Sequence, residues 1–209
     1  MSIIEASSNI DLKRFELVSN IFHPWVVLVP VLASAAYQAT GNSLACIKWT
    51  LAAYLPALIF PFLYAKVRTT MLSRGGTRQR LSRSLFLDNP VQLLIMSVFF
   101  GIPSVLILHY FNGPDSLGTI VLGCAAVMFV VALVNLKYRA SFHLSMVTSM
   151  LTALWFLFGP VYLITFILLP VLGFSRYQLG EHTPAQMVTG FLIGLVVSGM
   201  IFYCLGLGV

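Results

Sequence analysis

Residues 144–174 read LSMVTSMLTALWFLFGPVYLITFILLPVLGF, and none of these 31 positions carries a charge. As a single helix the stretch would extend about 46 Å at about 1.5 Å per residue, too long for one crossing of a ~30 Å hydrocarbon core. Gly159-Pro160 falls at its middle. Proline offers no N–H to the helical ladder and its ring meets the carbonyl one turn earlier, so the pair breaks the run there. The stretch predicts two short apolar helices folded back as a tight hairpin.

Outward from the hairpin, further apolar runs occupy residues 20–40, 46–65, 90–110, 117–136 and 184–206. Each approaches the ~20 residues that span a bilayer as helix. The chain is therefore expected to be an all-α integral membrane protein, a bundle of six to seven transmembrane helices, seven when both hairpin arms cross. Composition agrees: of 209 residues, 59% are hydrophobic and 9% charged, where a soluble domain has roughly 45–50% and about 25%. So little charge cannot dress a water-facing surface. Residues 20–209 read as one transmembrane domain without internal repeats. Residues 1–19, with Glu5, Asp11, Lys13, Arg14 and Glu16, read as a short interfacial segment, helical over 10–18, and not as a cleavable signal peptide. Cys46, Cys124 and Cys204 lie in apolar runs and are expected to be small buried hydrophobes.

The net charge of +6 is first a statement about orientation. With seven crossings, eleven of the twelve Lys and Arg fall on the side of the N-terminus, and Lys48 alone falls on the other. Cations collect in cytoplasmic loops, so the N-terminus and the basic loops, chiefly 66–89, are placed in the cytoplasm. No basic stretch is interleaved with stacking aromatics, so nucleic acid is not an expected partner.

Few residues are available for chemistry. No Asp, Glu, Lys or Arg falls deep within a crossing, which argues against a proton-driven transporter. The only aspartates, Asp11, Asp88 and Asp115, lie far apart and leave no paired-Asp magnesium motif. His23, beside Pro24, and His109 are expected to serve packing or the interface. His143 and His182 differ. Each follows an Arg and a Ser on the N-terminal side of the membrane, in Arg139-Ala140-Ser141-Phe142-His143 and Ser175-Arg176-Tyr177-Gln178-Leu179-Gly180-Glu181-His182. Guanidinium forks neutralise phosphate oxygens in fixed geometry. One imidazole can attack phosphorus and a second can protonate the departing alkoxide. The plainer alternative is ordinary polar residues at helix ends.

Ser175-Arg176, followed after five residues by His182, resembles the third motif of the type-2 phosphatidic acid phosphatase superfamily of membrane lipid phosphatases. So does His182-Thr183-Pro184-Ala185-Gln186 leading into a Gly-rich last helix. Ser141-Phe142-His143 resembles the Ser-Gly-His end of the second motif. The departures are specific. Gln186 stands where that superfamily has Asp, and Ala140 and Phe142 replace Pro and Gly. The first motif is reduced to Arg83-Ser84, with Gly76 in place of Lys and Arg74, Arg78 or Arg80 as nearby substitutes. The resemblance implies His182 as the nucleophile forming a phosphohistidine and His143 as the general acid toward the leaving lipid. It implies Gln186 as the residue orienting His182, and Arg176, Ser141 and Arg83, joined by Arg139 and Arg80, as the phosphate-binding set.

The expected activity is hydrolysis of a lipid phosphomonoester or diphosphate, of the isoprenoid phosphate or phosphatidic acid type, with no cofactor and no metal. The expected partners are the lipid substrate and the bilayer lipids. The alternative is a non-catalytic member of the same fold, a structural or lipid-binding subunit of a membrane complex, which Gln186 and the reduced first motif favour. A small transporter ranks behind both.

Overall fold

The computed structural model describes residues 13–74 and 89–207, and for residues 57, 58, 60–62 and 64–74 the backbone alone. Every regular element among the described residues is helical. Helix α1 covers residues 13–21 and leads into α2 (Pro24–Thr40), α3 (Ser43–Arg74), α4 (Pro90–Tyr110), α5 (Asp115–Val134) and α6 (Phe142–Phe158). A 3-10 helix (Pro160–Ile167), α7 (Leu168–Gln178) and α8 (Pro184–Cys204) follow. Five stretches, Lys13–Thr40, Pro90–Tyr110, Asp115–Val134, Pro160–Gln178 and Pro184–Cys204, are long and apolar enough to cross a membrane. Helix α6 is apolar but shorter, at 17 residues.

Local chemistry sets the helix boundaries. Helices α2, α4 and α8 each open on a side chain that accepts a backbone N–H (His23, Asn89 and Thr183) with proline at the first helical position. Helix α6 stops at Phe158, where Gly159 takes a φ of 88° that suits glycine, and Pro160 follows. The chain then packs back along α6, with the break at the Gly-Pro pair. The second arm departs from expectation by starting as eight residues of 3-10 helix. Pro160 and the β-branched Val161, Ile164, Thr165 and Ile167 weaken α propensity there, and none of the eight is buried to offset it.

Helix α3 continues to Arg74, so Lys66, Arg68 and Arg74, expected in a loop, lie on a helix. Lys, Arg, Leu and Met are good helix formers, and losing apolar character does not by itself end a helix. Residues 75–88 fall outside the described residues, and with them Arg80 and Arg83 of the expected phosphate-binding set. Residues 1–12 of the interfacial segment also fall outside; helix is described from residue 13.

The core joins Leu28 and Leu32 of α2, Phe100 of α4, Ile120 and Met128 of α5, Met146 and Met150 of α6 and Phe202 of α8. Large apolar side chains face outward as well. On α8, Val188, Leu192, Val196 and Met200 are each at least half exposed, while Gly190, Gly194 and Ser198 are buried. Small residues inside and large apolar ones outside suit surroundings as apolar as the core. Of the cysteines, Cys124 is buried as expected, Cys46 is half-buried, and Cys204 is exposed because it lies in the last turn of α8, next to the exposed Tyr203.

The small residues of α8 let it lie against α6. A Cβ on Gly190 would strike the Ser141 carbonyl oxygen, and one on Gly194 the Ser145 carbonyl oxygen. The two helices run the same way, and where they begin the Ser141 N–H donates to the Gln186 carbonyl at 3.1 Å. Helix α2 shares that direction: His23 at its start meets His143 edge to face, and Gln38 near its end donates to the Leu157 carbonyl at 3.0 Å. Helices α2, α6 and α8 thus begin at one end of the bundle, where α5 and α7 finish.

Candidate functional site

That end holds a cavity of about 660 Å³. Helix α1 and the start of α2 contribute Glu16, Ser19, Asn20 and His23. The turn into α6 and its first residues bring Asn135, Arg139 and His143, and the end of α7 with the turn beyond it brings Arg176, Glu181 and His182.

His143 is the second residue of α6 and only 5% exposed. The turn that delivers it is tightened by Asn135, whose side-chain oxygen accepts the Ala140 N–H at 2.7 Å. Its ring meets His23 edge to face, with centroids 5.0 Å apart and planes at 87°. His182 is 9% exposed and immediately precedes the α8 cap. Its Nδ1 lies 3.3 Å from the Gln186 Oε1. The same oxygen accepts the Thr183 N–H at 3.1 Å, while Thr183 Oγ1 accepts the Gln186 N–H, closing a capping box. A ring nitrogen facing an amide oxygen is the protonated one, so this contact leaves Nε2 of His182 with its lone pair. Arg176 donates to Ser19 Oγ at 2.9 Å and forms an ion pair with Glu181.

His143, His182, Arg176 and Arg139 therefore line one cavity. Gln186 stands behind His182 and is also the helix-capping residue. Ser141 does not line the cavity. Its side chain is buried under Gly190, and its hydroxyl has no hydrogen-bond partner among the described residues. Sequence reasoning missed His23, which it took for a packing or interfacial residue, together with Glu16, Ser19, Asn20, Asn135 and Glu181. A signal was present for four of them. Positions 16, 19, 20 and 23 follow the i, i+3, i+4, i+7 spacing of a single helical face. That face straddles the boundary at residues 19 and 20 between the expected interfacial segment and the expected transmembrane domain, which hides it.

The two guanidiniums and two carboxylates of the cavity balance in formal charge, and with three imidazoles beside them the guanidinium N–H groups are donors that an oxyanion could engage. Glu181 already engages Arg176, so an arriving anion must share that guanidinium or displace the carboxylate. Among the described residues, no three His, Cys, Asp or Glu side chains are grouped as metal ligands would be. Comparison with protein-family models, with curated proteins and with solved structures returns no match.

Proposed function

We propose that the chain is a multi-pass integral membrane protein that hydrolyses a phosphorylated or diphosphorylated lipid, in the manner of the type-2 phosphatidic acid phosphatases it resembles. The observation that carries the proposal is the convergence of His143, His182 and Arg176 on one cavity. For the membrane, the five apolar spans and the outward-facing large side chains of α8 are the support. Adding α3 and α6 gives seven crossings. The cation distribution then puts the N-terminus and the cavity at the cytoplasmic face.

In the reaction, Nε2 of His182 attacks phosphorus and the bond from phosphorus to the lipid oxygen breaks. His143, which takes up a proton as the anionic phosphate binds beside it, gives that proton to the departing alkoxide. Water then attacks the phosphohistidine, His143 takes a proton from that water, and phosphate leaves with His182 restored. Arg176 and Arg139 balance the charge that spreads over the phosphoryl oxygens. The lipid tail lies between helices at the membrane surface. The test is phosphate release by the purified full chain from phosphatidic acid and from isoprenoid mono- and diphosphates. Folded, monodisperse protein that releases none from any of them sinks the proposal.

One observation favours the non-catalytic alternative: the capping box explains Gln186 without catalysis. On that reading no lipid phosphate is turned over, and the cavity serves lipid binding within a membrane complex.

A further inference from the structure

The cavity contains an imidazole that the proposed reaction leaves without a task. His23 caps α2: its Nδ1 accepts the Trp25 backbone N–H at 3.4 Å. A nitrogen that accepts a hydrogen bond carries no proton, so the ring's one N–H is at Nε2. This restricts what His23 can do. It cannot take up a proton at Nε2, which already holds one, nor at Nδ1 without giving up the cap. It cannot release the Nε2 proton without becoming an imidazolate. While the cap holds, acid and base roles are closed to it, and what Nε2 can offer a ligand is a hydrogen bond. The ring lines the cavity, half-buried, edge to face with His143 and on the same wall as Asn20.

We propose that His23 is a phosphate-binding residue, donating from Nε2 to a phosphoryl oxygen. The assignment rests on the lipid phosphatase reading above and extends it. It puts a phosphate donor on the start of the first long apolar helix, in a chain whose counterpart of the first motif is reduced to Arg83-Ser84. It also gives the α1–α2 junction a role in substrate binding, where sequence assigned it only packing or the interface.

Two substitutions separate donation from capping. His23→Asn keeps an oxygen at the distance of Nδ1, and Asn is among the best N-caps, but its amide ends short of the Nε2 position. His23→Gln carries an N–H out to about the Nε2 position and loses the cap. The experiment measures, on detergent-solubilised full-length protein, the inhibition constant of inorganic phosphate, KM and kcat for the best lipid phosphate, and the thermal midpoint. His23→Asn is expected to weaken phosphate inhibition about tenfold, the value of one hydrogen bond to a charged group, with the midpoint near wild type. His23→Gln is expected to recover most of that affinity at a lower midpoint. Unchanged phosphate inhibition in His23→Asn overturns the assignment while leaving the phosphatase reading standing. So does a loss of affinity that follows the thermal midpoint in both variants, because that marks a structural role. A wild type that neither releases phosphate nor is bound by it overturns both.

Discussion

Gln186 offers the most exacting test, because one oxygen serves two structures. Its Oε1 lies 3.3 Å from His182 Nδ1 and 3.1 Å from the Thr183 N–H. Gln186→Ala removes both contacts. The lost cap is expected to cost about 1 kcal/mol of stability. A His182 ring no longer held in one tautomer and orientation is expected to lower kcat about tenfold, about 1.4 kcal/mol of barrier. KM should move little, since Arg176 and Arg139 remain. Gln186→Glu separates the two effects. It keeps the side-chain length and the capping box, and it places a negative charge where the amide oxygen was. At 3.3 Å and an effective dielectric of about 20, a carboxylate and an imidazolium attract by about 5 kcal/mol. Most of that is offset by burying the carboxylate, and about 1.4 kcal/mol surviving as support for the imidazolium side of the reaction would raise turnover about tenfold. Gln186→Asp, the residue of the resembled motif, is one methylene shorter. It is expected to cap less well and to gain less. The assay is steady-state phosphate release, with kcat and KM resolved and the thermal midpoint recorded for each variant. A Gln186→Ala protein with a lowered midpoint and undiminished kcat would show that Gln186 only caps the helix. A stable Gln186→Glu protein no faster than wild type would refute the electrostatic half of the reasoning.

Four further outcomes are expected. Glu181→Gln frees Arg176 from its carboxylate partner and is expected to tighten inhibition by inorganic phosphate several-fold, about 1 kcal/mol for a partly exposed pair; weaker inhibition would mean that Glu181 holds Arg176 in its working position. Gly194→Val drives a side chain into the Ser145 backbone and is expected to cost about 1–3 kcal/mol, read as a fall in thermal midpoint; an unchanged midpoint would refute the close α6–α8 contact. Activity is expected to survive EDTA and to vanish in His182→Ala and His143→Ala, whereas loss in EDTA with recovery on added magnesium would reject the phosphohistidine route. Cysteine-labelling accessibility is expected to put residues 75–88 on the cytoplasmic face and Val209 on the opposite one; finding both on one face would refute the seven-crossing arrangement.

Most of the helices were legible because long apolar runs, bounded by Pro, Gly or polar residues, read as helix directly from length and composition. The break at Gly159-Pro160 was legible for a local reason, a missing N–H and a positive φ, and local chemistry is written directly in sequence. His143, His182 and Arg176 could be grouped because their spacing resembles a motif and because helices that alternate in direction return their ends to the same end of the bundle. What stayed hidden depended on direction and packing. Ser141 lies in the stretch that resembles the second motif, but it packs under Gly190 and does not line the cavity. His23 is far from the motifs in sequence and reaches the site only because α2 runs parallel to α6. The double use of the Gln186 oxygen follows from cap geometry, and the residue type alone did not reveal it.

The 3-10 segment changes how far the second hairpin arm reaches. Its 8 residues advance about 2.0 Å each, and the 11 residues of α7 about 1.5 Å each. The arm is therefore about 33 Å long, roughly 4 Å more than an all-α helix of the same composition. Its neighbour α6, with 17 residues, reaches only about 26 Å. In a hydrocarbon layer of ~30 Å, one arm overshoots and the other falls short. On the proposed membrane reading, thickness becomes a variable the protein feels: a thinner bilayer suits α6, a thicker one suits the stretched arm. The two arms meet at Gly159, and their far ends carry His143 and Arg176.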